Sequence, residues 1–121
     1  MLENVTKKKG IIGKVRLAKG PFERAKGLMF ENLADFDYAL VFILPVPSRL
    51  AASVHMMFVF FPIDIIFLDS GKKVVDKATL FPWQLNYTPK LSAKYFIELP
   101  EGCGAGISTG DKLEWESQKS K

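Results

Sequence analysis

The sequence is poor in the residues that build metal sites and disulfides. It contains one cysteine, Cys103, and one histidine, His55. A lone cysteine excludes an internal disulfide, and these two residues cannot by themselves supply an ordinary zinc site. We therefore expect no metal, no cofactor and a reducing, cytoplasmic environment.

Long apolar runs are also missing. The longest, residues 56–63, is about as long as a strand, well short of the roughly 18 residues that cross a bilayer. The first residues, MLENVTKKKGII, contain no apolar region of signal-peptide length. No Walker motif or serine nucleophile elbow is present. We therefore expect no membrane partner, and neither of these two enzyme classes.

The positive charge is concentrated at the chain ends. The formal net charge is +4, from 17 basic and 13 acidic residues, and five of the basic residues and one acidic residue lie within 1–9 and 119–121. The body is therefore neutral, whereas nucleic-acid binders usually gather basic residues on one face of the fold. We expect no specific nucleic-acid binding, and a single domain over 10–116 between a basic tail, 1–9, and a polar tail, 117–121.

Apolar runs of strand length, divided by turn residues, predict a mainly β fold. It should be a β-sandwich or a partly closed barrel with one short helix near residues 21–30, which Pro21 opens. Asp69 to Lys72 has the composition of a hairpin turn. The predicted strands are 11–17 (interrupted by Gly13), 38–44 (ended by Pro45 and Pro47), 53–61, 63–69, 73–81, 94–99 and 112–115.

Four segments occur in the order and spacing of a known family. They are ERAKGLMF at 23–30, HMMFVFFPIDIIFLDSGKKVVD at 55–76, YFIELPEG at 95–102 and GISTGDKLEW at 106–115. Together they resemble the domain of unknown function 192 family, from about Ile11 to Trp115. The resemblance implies a small, mainly β fold with a short helix and an unassigned biochemical function.

One segment departs from the family pattern. Many members are similar to Trp-Met-Lys-Asn-Thr before a Pro-Leu-Asp element, whereas this chain has HMMFV at 55–59 before Pro62-Ile63-Asp64. A function that depends on the amide or hydroxyl of that segment is therefore doubtful here, and one that uses His55 becomes possible.

Asp64 is the first candidate site residue because a carboxylate among isoleucines needs a partner or a function. Backbone N–H groups or Arg24 could satisfy it, or it could bind a ligand. Arg24, on the flank of the predicted helix, suits bidentate capture of Asp64 or of an anionic ligand. His55 could be a hydrogen-bonded core residue or could titrate beside Asp64.

Two further candidates come from the second half of the chain. Glu98 interrupts the apolar segment 95–97, where it could mark the solvent side of a strand or form a carboxylate pair with Asp64 or Asp111. Trp83 could line an open end of the fold with other aromatic residues. The loop 102–106, rich in glycine, has the pattern of turns, because a dinucleotide fingerprint must open a helix.

These residues favour a module that binds a small molecule or a peptide, or an accessory protein. Its site would lie where Arg24, His55 and Asp64 meet, with Glu98 and Trp83 as further ligand contacts. The first alternative is a hydrolase or isomerase with Asp64 and His55 as an acid–base pair. The second is an interaction subunit with exposed aromatics over 81–87. The oligomeric state is open.

Overall fold

The computed structural model describes residues 1–18 and 26–116. Within these ranges the predicted mainly β fold is confirmed, and two sheets pack as a sandwich without closing into a barrel. Residues 21–25, half of the predicted helix, lie outside the described residues, and residues 27–30 form turns. The strands are β1 (Leu2–Asn4), β2 (Lys9–Ile12), β3 (Lys14–Leu17), β4 (Tyr38–Ser48), β5 (Ile63–Leu68), β6 (Val74–Leu80), β7 (Ala93–Pro100) and β8 (Leu113–Trp115), with a short 3-10 helix at Leu33–Asp35.

The larger sheet has the order β3-β4-β7-β5-β6, and the smaller sheet has the order β2-β1-β8. Strand β3 runs parallel to β4, while all other neighbouring strands are antiparallel. Strands β7 and β5 occupy the interior of the larger sheet, and all six side chains of β5 are buried. Burial of both faces explains why β5 is apolar without alternation.

Two clusters of apolar side chains cover the two faces of the larger sheet. On one face, Leu2 of β1 and Leu113 of β8 pack with Val41, Ile66 and Ile97, so the smaller sheet lies over this face. On the other face, segments outside the strands cover the sheet. Their buried apolar residues are Leu28, Phe36, Ala52, Val54, Met56, Val59 and Phe61.

The structure corrects three strand predictions. Strand β4 continues through Pro45 and Pro47 to Ser48, because both prolines fall where its pairing with β7 is interrupted and need no N–H. Residues 53–61 form no strand beyond a single bridge between Val54 and Tyr87. Their apolar character comes from covering the sheet. Gly13 separates β2 from β3, which belong to different sheets.

The predicted N-terminal tail is also wrong, because part of it belongs to the sandwich. Leu2 is fully buried, and β1 pairs with both β2 and β8. Lys7 adds an ion pair with Asp111 at 3.2 Å. Residues 117–121, the predicted C-terminal tail, lie outside the described residues.

The turn between β1 and β2 offers a test of this correction. Lys8 has φ 58°, and its side chain is exposed. A left-handed residue other than glycine costs roughly 1–2 kcal/mol, more than glycine loses in unfolded-state entropy. Lys8→Gly should therefore raise the free energy of unfolding in urea by about 0.5–1 kcal/mol. Lys9→Gly, in strand β2, should lower it by about as much. A disordered tail would leave both variants unchanged.

Candidate functional site

Asp64 lies on β5, with its carboxylate on the face that carries the smaller sheet, and it is 7% exposed. Oδ1 accepts a hydrogen bond from Thr79 Oγ1 at 2.8 Å. Oδ2 accepts two backbone hydrogen bonds, from Gly102 N at 3.0 Å and from Gly104 N at 2.8 Å. Three donors thus stabilise this carboxylate, as expected of a buried acid.

The glycines after β7 make this arrangement possible. Gly102 has φ +94°, and a Cβ at Gly104 would lie 3.0 Å from Asp64 Oδ2. The loop therefore directs two backbone N–H groups to the Asp64 carboxylate of the same chain, which agrees with its prediction as a glycine-rich turn. Cys103, between the two glycines, shows no sign of activation, because burial, and secondarily Asp64, raises the pKa of its thiol.

His55 and Asp64 are not brought together. His55 is exposed, and its Nδ1 accepts a hydrogen bond from Met57 N at 3.2 Å. It borders a cavity on the sheet face opposite Asp64, and Asp64 is occupied by Thr79 and the glycine loop. The geometry therefore does not support these two residues as an acid–base pair. Arg24, the third member of the predicted site, lies outside the described residues.

Glu98 lies in the middle of β7, between Leu40 of β4 and Ile65 of β5. It is 5% exposed, so the expectation that it marks the solvent side is wrong. Since β7 is third in a five-stranded sheet with both faces covered, a side chain at its centre is buried whichever face it occupies. Glu98 lies on the face opposite Asp64, and Asp111 is bound to Asn4 of the smaller sheet, which covers that opposite face, so neither acid forms a carboxylate pair with Glu98.

The Oε1 atom of Glu98 is buried and has no hydrogen-bond partner among the described residues. Burial penalises the ionised form and raises the pKa of Glu98 to about 8. A buried polar atom without a partner commonly costs about 1–3 kcal/mol, so such an atom needs an explanation.

Glu98 borders a cavity of about 60 Å³. Gly27, with φ +50°, closes one side, and a Cβ there would lie 3.6 Å from Glu98 Oε1. Lys26, also at the cavity, is held by Glu31 at 2.6 Å. The remaining walls are mostly apolar: Leu28, Met29, Phe42, Val54, Val59, Ile63 and Phe96, with Ser53 and His55 as polar members.

Trp83 belongs to a partly exposed aromatic cluster, defined by Phe30, Phe58, Phe60 and Trp83. The Phe30 ring stacks on Phe58 with centroids 4.8 Å apart, and Phe58 meets Trp83 edge-on at 4.9 Å. Phe30, Phe58 and Trp83 all have positive φ, of 65°, 58° and 65°. Bulky residues seldom adopt this conformation, and such strain concentrates at binding and switch regions.

A family model described as "Uncharacterized ACR", that of domain of unknown function 192, matches residues 3–115. The chain belongs to this family. A UPF0127 protein of Thermococcus sibiricus is 45% identical over 123 residues, covering 100% of this chain and 78% of the relative. A UPF0127 protein of Pyrococcus horikoshii is 46% identical over 117 residues, covering 95% of this chain and 98% of the relative.

Among solved structures, a protein of unknown function from Novosphingobium aromaticivorans superposes with a TM-score of 0.75 at 30% identity. The match covers 84% of this chain and 74% of that chain. The resemblance to the domain of unknown function 192 family is thereby confirmed. None of these three relatives carries a stated activity, so function has to be argued from the site itself.

Phe58 of the aromatic cluster has a strained backbone conformation, with φ 58°. Glycine and asparagine tolerate this left-handed conformation better than phenylalanine does. This chain keeps the strained conformation while placing the Phe58 ring in contact with Phe30 and Trp83.

In this member of the family, sequence reasoning missed the cavity at Glu98. The available signal was the apolar character of β7 on both sides of a lone acid, together with Gly27 inside an apolar helical pattern. Both features are visible in the sequence, but only the fold places Glu98 between Leu40 and Ile65 in the sheet and brings Gly27 close to its carboxylate.

No helix within residues 1–18 and 26–116 is long and apolar enough to cross a membrane.

Proposed function

We propose that this protein is a small-molecule-binding module and that its binding position is the cavity at Glu98. The observation that carries the proposal is the buried Oε1 atom of Glu98, which has no hydrogen-bond partner in the described part of the chain. Ligand sites typically combine apolar walls with a few placed polar groups, and this cavity has that composition.

Comparison with the other buried acids supports the proposal. Asp64 accepts three hydrogen bonds; Asp76 accepts them from Tyr87 at 2.7 Å and from Lys90 N at 3.2 Å. Asp111 accepts them from Asn4 at 2.8 Å and from Ser108 N at 2.9 Å. The fold thus supplies at least two partners to each of these three carboxylates. Glu98 differs from all of them, which is the pattern expected of an acceptor kept for a ligand.

The size of the cavity limits what enters it. Its volume of about 60 Å³ is far below the roughly 300–1,000 Å³ of a pocket that encloses a drug-sized ligand. Only a terminal group can reach Glu98, and the rest of the ligand lies outside. The aromatic cluster begins next to the wall residues, since Phe30 follows Met29 and both Phe58 and Phe60 flank Val59. This arrangement gives an apolar ligand body a surface to pack on.

The enzyme alternative loses support because His55 and Asp64 lie on opposite faces of the sheet. The interaction-subunit alternative is favoured by one observation, the exposure of Phe30 at 64%, Phe60 at 56% and Trp83 at 47%. A peptide ligand could place one side chain in the cavity and pack on the exposed aromatic residues, which would combine the roles of binding module and interaction subunit. We place the protein in the cytoplasm, on the evidence of its single cysteine.

The proposal is tested by titrating ¹⁵N-labelled protein with small hydrogen-bond donors at millimolar concentration, using acetamide, urea, guanidinium and methylammonium. We expect at least one of them to shift the amide signals of Gly27, Leu28 and Phe42 in a saturable manner. Glu98→Gln should weaken that binding at least about tenfold, because hydrogen bonds to a charged acceptor contribute about 1.5–3 kcal/mol.

Glu101→Gln, at an exposed position of the following loop, is the matched control and should bind like the wild type. Failure of every donor to shift the cavity signals would overturn the proposal. Shifts confined to Phe58, Phe60 and Trp83 would instead support the interaction surface as the binding site.

A further inference from the structure

We infer that the group bound at Glu98 is a compact cation, a protonated primary amine. This inference deepens the proposed function and rests on it. The observations that carry it are an acceptor atom without a described partner, the walls around that atom and the size of the cavity.

The chemistry of the acceptor comes first. An ionised carboxylate only accepts hydrogen bonds, so its partner has to donate. When Glu98 is ionised, a neutral donor would leave a negative charge buried among Phe42, Phe96 and Ile63, and an uncompensated buried charge is strongly unfavourable. A protonated amine supplies donors and cancels the charge at once.

The walls fit the same group. Phe42 and Phe96 stack with centroids 4.4 Å apart and planes inclined by 10°, and both border the cavity. The position of a Cβ at Gly27 lies 3.6 Å from Glu98 Oε1 and 3.7 Å from the Cζ atom of Phe42. A group beside the carboxylate therefore also contacts the rim of the Phe42 ring, which gives the carbon attached to an amine an apolar wall to pack on.

The volume favours a small cation. A cavity of about 60 Å³ admits a compact head group but not the body of a larger ligand. A primary ammonium group is the smallest organic cation and meets this limit most easily.

The cations of the described chain near this site are engaged elsewhere. Lys26 Nζ contacts Glu31 Oε2 at 2.6 Å, and the Arg16 guanidinium lies 4.7 Å from the centroid of the Tyr38 ring. The titratable groups around Glu98 are Tyr38 of β4, Lys26 and Glu31 on the segment that follows β3, and His55 of the covering loop.

Amine binding should release a proton from Glu98. The protonated carboxyl exchanges its hydrogen for the N–H of the incoming ammonium, and the proton leaves to solvent, so charge and atoms balance. Because the folded-state pKa of Glu98 is about 8, the affinity should rise as the pH increases from 6 to 8, at most tenfold per pH unit.

The test compares four probes at pH 6 and pH 8 by the same NMR titration: methylammonium, tetramethylammonium, guanidinium and neutral acetamide. We expect methylammonium to shift the signals of Gly27 and Phe42 and to bind at least about tenfold more tightly at pH 8 than at pH 6. Glu98→Gln should remove that pH dependence, and Glu101→Gln should retain it.

The outcomes separate the two proposals. Saturable binding of acetamide with none of methylammonium would overturn this inference and leave the proposed function standing. No binding of any probe at the cavity would overturn both. Arg24 lies outside the described residues, so the titration is repeated with Arg24→Gln. If methylammonium binds only to that variant, Glu98 serves an internal partner and the inference is wrong.

Discussion

Replacing Asp64 by asparagine should lower the free energy of unfolding by about 3 kcal/mol. The carboxylate accepts three hydrogen bonds, two of them from backbone N–H groups at 2.8 and 3.0 Å. Asparagine can turn its oxygen toward the two backbone N–H groups and its amide toward the Thr79 hydroxyl, but the three hydrogen bonds lose their charge assistance, which contributes about 1 kcal/mol to each. The loss should be visible as a lower urea midpoint with an unchanged slope.

Asp35→Asn provides the control, because Asp35 is exposed and surface substitutions usually change stability by less than about 0.5 kcal/mol. Gly104→Ala should also destabilise the protein, since the added Cβ would lie 3.0 Å from Asp64 Oδ2 and would disturb the same hydrogen bonds. If Asp64→Asn kept or raised the stability, the carboxylate would be retained for a function at a cost to the fold, and the search for a ligand would move to Asp64.

Replacing Glu98 by glutamine should change how stability depends on pH. The pKa of Glu98 is raised from 4.5 to about 8 by burial, so the folded state retains a proton that the unfolded state loses. Wild-type stability should therefore be fully present below about pH 4.5 and fall by up to 1.4 kcal/mol per pH unit as the pH rises toward 8. Above about pH 8 both states are ionised, and this contribution levels off.

Glu98→Gln removes the titrating group, so its advantage over the wild type should grow between pH 5 and pH 8. The expected gain is on the order of 4 kcal/mol, the free-energy equivalent of roughly three pKa units. Urea unfolding at pH 5, 6.5 and 8 measures it. Glu101→Gln is the control, and its free energy of unfolding should depend on pH in the same way as that of the wild type. Parallel curves for Glu98→Gln and the wild type would contradict a proton held on buried Glu98.

The elements that sequence reasoning located correctly are those with local signals. The turn at 69–72 and the strands on either side of it, β5 and β6, follow from a turn composition between two apolar runs. In the structure, Lys72 N donates to Asp69 O at 2.9 Å, and Asp69 Oδ1 accepts from Gly71 N at 2.9 Å. These hydrogen bonds join residues within one stretch of four, so the local sequence is enough to predict the turn.

The elements that were missed depend on partners far along the chain. Strand β1 is short and lies in a basic segment, and it becomes a strand through pairing with β8, with Leu2 opposite Trp115. The segment 53–61 has strand composition but covers a sheet face instead. In both cases tertiary contacts override local preference.

The candidate site was predicted only in part for the same reason. The sequence shows that Asp64 needs a partner, but the partner loop at Gly102 and Gly104 is identified only by the pairing of β5 with β7. Glu98 becomes the main candidate through strand order and register, because these place it inside the larger sheet without a hydrogen-bond partner for Oε1 among the described residues. Strand order is not encoded in any single segment.

The pairing of β1 with β8 also sets the order of events during synthesis. Leu2 lies opposite Trp115, so β1 cannot complete its sheet until β8, at the other end of the domain, has been synthesised. Contacts this distant form late and slow folding. Until then the lysines at 7–9 keep the unpaired segment hydrated. Leu2, which is fully buried in the folded sandwich, therefore lies beside a strongly charged stretch of the nascent chain.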